Sequence, residues 1–170
     1  MRRALVIAGA LLLLWTVVAQ ANHSITGLHL YLFVGGLYVA FAALTQPLGP
    51  GLAASIMGGL WCDVTAPAGL FGTHALLFAA AHVSVFHVRD RIPRDETASR
   101  VVVALLTNLA LFLVFSFSQV HLSPAPAEVW PRLLTDLVVS QLALSLLAPW
   151  FFALQARVLV LCRVDRESLA

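Results

Sequence analysis

Between Arg3 and Arg89 the chain carries a single formally charged side chain, Asp63, in 85 residues. A run that apolar is suited to lipid, where a lone carboxylate costs about 2.5–3.5 kcal/mol at the bilayer centre. The acid must therefore lie near a membrane surface or be held for a reason. Hydrophobic residues make up 61% of the whole and charged residues 11%, too few charges for a soluble domain of this size. No alternation of apolar and polar residues in ten-residue segments suggests a transmembrane barrel. A helical bundle is the other structure that satisfies every backbone group in lipid.

Six apolar segments can be drawn, at 4–19, 28–44, 52–64, 70–88, 101–120 and 133–156, as one integral membrane domain. The third is short for a crossing, which takes about 20 residues. All ten basic residues are arginine. With six crossings, Arg2, Arg3, Arg89, Arg91, Arg94, Arg100, Arg157, Arg163 and Arg166 share one side, and Arg132 lies on the other. The positive-inside rule makes the first side cytoplasmic, with both termini there. A competing reading takes Arg2-Arg3, the first apolar run and Ala19-Gln20-Ala21 as a cleavable signal peptide. The loops at 22–27, 62–69 and 121–132 then face outward, and the Arg-rich loop at 89–100 is solvated on the inner side, with Arg89 and Arg91 within reach of anionic headgroups. Cys62 and Cys162 fall on opposite sides and have no metal-ligand spacing. No basic and aromatic groove exists for nucleic acid.

Small residues at Gly51, Ser55 and Gly59, four apart, give the third segment a row along which another helix can pack closely. Asp63 follows at its end, before Thr65-Ala66-Pro67-Ala68-Gly69 breaks the helix. Three roles are open to it: acceptor for backbone N–H groups at the start of the next helix, ligand for an ion or proton, or partner for another protein. No second carboxylate is near in sequence, so acid/base hydrolysis has no support. Of the six histidines, His82 and His87 are five apart and point in different directions, while His74 and His82 are two turns apart. Neither pair suits a shared haem or metal, and hydrogen-bonded packing is expected instead. Asn108 and Gln141 lie deepest in the last two segments and are expected to bond between helices. Asp136 is expected to pair with Arg132, four residues earlier. Pro149 is expected to kink the last segment, with Trp150 and its neighbours as anchors.

Gly58-Gly59-Leu60-Trp61-Cys62-Asp63-Val64, a small-residue turn, and Gly69-Leu70-Phe71-Gly72-Thr73-His74-Ala75-Leu76 together resemble the central signature of the rod shape-determining MreD family. The late element Ala148-Pro149-Trp150-Phe151-Phe152 is also similar to that family, whereas Thr26-Gly27-Leu28 stands where a Pro-Asp or Pro-Asn start is common, the pattern of a divergent member. The resemblance implies an all-α bundle of six transmembrane helices, similar to the substrate-binding subunits of energy-coupling-factor transporters. It implies a multi-pass protein of the bacterial inner membrane with no enzymatic activity and no cofactor. The expected role is a scaffold of the cell-wall elongation complex, maintaining rod shape beside an MreC-like partner, MreB, RodA-type and penicillin-binding proteins. The signature residues are Gly59, Asp63, Gly69, Gly72 and His74. The alternative function is a transporter subunit binding a vitamin-like small molecule, with His29, Asp63, His74 and His121 lining an outward cavity.

Overall fold

A computed structural model describes residues 2–65, 71–91, 96–122 and 126–162. Six α-helices follow one another: α1 (Arg2–Ile25), α2 (Gly35–Thr45), α3 (Leu48–Thr65), α4 (Thr73–Val88), α5 (Thr97–Leu122) and α6 (Pro126–Leu161). Among the described residues there is no strand, and the fold is all-α. Among the described residues, three stretches are long and apolar enough to cross a membrane, Leu5–Ile25, Thr97–Ser118 and Ala127–Leu161. They point to a membrane protein.

The short helix α2 is the axis of the bundle. Every residue from Gly35 to Leu44 is buried, as expected of a helix that is apolar on all sides. It packs against α3, α4, α5 and α6. Phe41 meets Phe151 and Phe152 of α6 at centroid distances of 5.6 and 6.0 Å, and Gly36 lies directly on the backbone of Asn108 in α5, where a Cβ has no room. Helix α2 stops at Gln46 because Pro47 drives the preceding residue into an extended conformation, here φ −111° and ψ 155°.

The small-residue row of α3 faces α4. Gly51 lies against His82, and Gly59 lies on the backbone of His74 and Ala75. Ser55 is buried with its hydroxyl 2.9 Å from His82 Nδ1. Among the described residues the two helices form the most extensive contact between elements.

Several boundaries differ from those read in the sequence. Helix α1 continues to Ile25, through the expected outer loop. Helix α3 begins at Leu48, one residue past Pro47, and reaches 18 residues rather than the short segment expected. Helix α6 begins at Pro126, a residue suited to a first helical turn, and runs unbroken through Pro131 and Pro149 for 36 residues. The largest difference is in the second segment. Drawn as 28–44, it is helical only from Gly35; residues 30–34 are irregular, preceded by a 3-10 turn at Thr26–Leu28.

Candidate functional site

The Asp63 carboxylate is the anchor of the α3–α4 junction. Its Oδ2 accepts from the backbone N–H of Gly72 at 3.0 Å and of Ala75 at 3.2 Å. Its Oδ1 accepts from the N–H of His74 at 3.0 Å and from His74 Nδ1 at 2.7 Å. A helix start leaves its first N–H groups without intrahelical partners and carries the positive end of the helix dipole. One carboxylate answers three of those groups at α4, and the imidazole supplies a fourth donor. The side chain is 2% exposed and that of His74 19%. Of the three roles open to Asp63, acceptor at the start of the next helix is the one its geometry displays.

The surrounding signature residues serve the same junction. Gly72 has φ +96°, a left-handed conformation that glycine adopts without the Cβ penalty; it turns the chain so that its own N–H and those of α4 face Asp63. Gly59 removes the side chain that would hold α3 away from α4. Gly69 lies outside the described residues. The other two proposed cavity residues, His29 and His121, are exposed.

A second polar constellation surrounds residues 30–34. Here the chain has left helical geometry, and its backbone groups are met by side chains from three other helices. Asn22 of α1 pairs with Leu32 twice, accepting from its N–H at 2.7 Å and donating to its carbonyl at 2.9 Å. Asp136 of α6 accepts from Tyr31 N–H at 2.9 Å. Ser140, one turn on, accepts from Phe33 N–H at 3.0 Å and donates to Tyr31 O at 3.3 Å. Asn108 of α5 accepts from Gly36 N–H and donates to Phe33 O, both at 3.0 Å. Backbone that has left helical geometry needs other partners for its polar groups, and here side chains of three helices supply them.

These contacts refine one expectation and correct another. Asn108 and Gln141 do bond between helices, but to backbone and not to each other: Asn108 clamps the break, and Gln141 donates to Leu105 O of α5 at 3.3 Å. Asp136 is 4% exposed and turned toward Tyr31 rather than toward Arg132, which is exposed. Asn22 carries no sequence signal of its own for this role. The signal that existed was indirect, a Gly35-Gly36 pair inside an apolar segment.

The two constellations touch through aromatic rings. His74 stacks on Phe115 of α5 at 4.3 Å, and Phe115 meets Phe33 edge-on at 5.6 Å. At the opposite end of α2, Arg89 takes the complementary part to Asp63. Its guanidinium donates to Ala43 O at 3.2 Å and Gln46 O at 2.8 Å, and lies 3.6 Å above the Phe86 ring. A cation at the last carbonyls of a helix is favoured by the dipole. Arg89 therefore folds back onto the bundle.

Comparison of the chain with protein-family models, with curated proteins and with solved structures finds no match.

Proposed function

We propose that this chain is a non-enzymatic membrane scaffold of the bacterial cell-wall elongation complex, of the MreD type, held in the inner membrane by six crossings with both termini cytoplasmic. The observation that carries the reading is the convergence of Gly59, Asp63, Gly72 and His74 on one helix junction. The motif through which the chain resembles that family is thus a physical unit. Helix lengths are compatible with six crossings. The 11 residues of α2 span about 17 Å, and residues 30–34 extend that by at most about 17 Å, near the ~30 Å of a hydrocarbon core. A likeness to substrate-binding subunits of energy-coupling-factor transporters is part of the same proposal.

In this reading the buried polar side chains hold backbone, and the outer surfaces meet partners such as an MreC-like protein, RodA-type and penicillin-binding proteins. The vitamin-binding alternative draws less support, because the Asp63 carboxylate that would greet a ligand is already filled by four donors. Clean deletion in a rod-shaped host should give rounded or swollen cells, and in-cell crosslinking should recover an MreC-like partner. Normal rods after deletion, with no second copy present, would overturn the proposal. Retention of a labelled vitamin-like compound by the purified protein would favour the alternative.

A further inference from the structure

A crevice of about 270 Å³ opens between α1 and α3, walled by Leu11, Leu12 and Trp15 on one side and Met57, Gly58 and Trp61 on the other. Its floor is the ring of Tyr38 from α2 and of Phe78 from α4. A Cβ at Gly58 would strike the Tyr38 ring, so its absence lets that ring lie across α3. The phenol hydroxyl donates to Ala54 O. The tyrosine thus has its polar tip engaged, and the crevice is lined almost wholly by carbon. No charged side chain lines it, so a water-soluble ligand would leave its own polar groups unpaired there.

Resting on the membrane reading, we propose that this crevice seats one hydrocarbon tail of a membrane phospholipid. Its mouth is continuous with surface that the bilayer must cover. Leu12, Met57 and Trp61 are exposed at the rim, and Leu13 and Val17 of α1 and Leu60 and Val64 of α3 extend the same apolar surface along both helices. The volume accepts a segment of one tail entering sideways from the lipid phase. The occupant wedges between α1 and α3 over the Tyr38 and Phe78 rings.

The test is native mass spectrometry of the full-length protein extracted from membranes and exchanged into lipid-free detergent. The wild type should retain one phospholipid per chain. Met57→Trp, which fills the crevice from an exposed position on its rim, should lower retention by roughly tenfold, while Leu142→Trp on the lipid-facing side of α6 should leave it unchanged. Wild type free of lipid, equal retention by Met57→Trp, or equal loss in Leu142→Trp would each overturn the proposal, the last by showing only annular lipid. Should Met57→Trp fail to run as a monodisperse species, Leu12→Trp fills the crevice from the opposite wall and is read in the same way. Release of the chain from membranes by alkaline carbonate would sink the membrane reading itself. A chain that stays in the carbonate pellet but carries no lipid sinks only the crevice.

Discussion

At the scale of single residues, Asp63 shows how an isolated charge can be tolerated in an apolar chain. Hydrogen bonds to charged groups contribute about 1.5–3 kcal/mol each, and four donors converge on this carboxylate. Asp63→Asn keeps the shape but turns an NH2 toward N–H groups that need an acceptor. We expect it to destabilise the fold by about 3 kcal/mol, seen as a lower thermal midpoint in detergent; a midpoint equal to wild type would contradict the anchoring role. Gly72→Ala should cost less, about 1–2 kcal/mol, since only the left-handed backbone is strained and its surroundings are open. This part of the site was legible in the sequence. A lone acid followed by a small-residue turn and a new helix has few donors to choose from except that helix's own N–H groups. The pairing with the His74 ring was not legible, because it depends on how the turn closes.

At the scale of elements, the break before α2 is held by Asn22, Asn108, Asp136 and Ser140, contributed by α1, α5 and α6. Asn108→Leu removes an acceptor for Gly36 N–H and a donor to Phe33 O together, with an expected cost of about 2–4 kcal/mol. Ser140→Ala leaves Phe33 N–H buried without its acceptor and should cost about 1–3 kcal/mol. Both should accelerate amide hydrogen exchange at residues 31–36 before any change in α3 and α4; uniform acceleration across the bundle would show that the clamp has no local identity. Hydropathy alone could not reveal this element. Tyr31, Leu32, Phe33 and Val34 are as apolar as a helix requires, and the polar groups that complete their backbone lie as far away in sequence as Ser140. The small-residue row of α3 was readable because its packing logic is local to one helix. The depth and polarity of Asn108 are readable in the sequence, but its partners are not, since they are backbone groups freed only where the chain breaks before α2.

At the scale of the whole molecule, the arginine distribution gives an orientation that the native cysteines can test. Cys62 is buried and Cys162 is partly exposed just beyond α6. A membrane-impermeant maleimide should therefore label Cys162 in inside-out vesicles and leave it unlabelled in right-side-out ones, with Cys62 silent in both. Labelling from the outer side would rule out six crossings with a cytoplasmic C-terminus. The class was legible at this scale because composition and charge are global quantities. The order of packing was not, because it depends on α2 being enclosed by its neighbours rather than facing lipid.

The clamp also has a temporal meaning. Tyr31, Phe33 and Gly36 emerge from the ribosome long before Asn108, Asp136 and Ser140 exist to receive their N–H groups. Until the last two helices are made, the polar backbone groups of this stretch lack the partners that the finished fold supplies. A chain cut after α4 should consequently be degraded quickly in cells, although four of its six helices are complete. The break before α2 is thus completed only by α5 and α6, the last helices to be made.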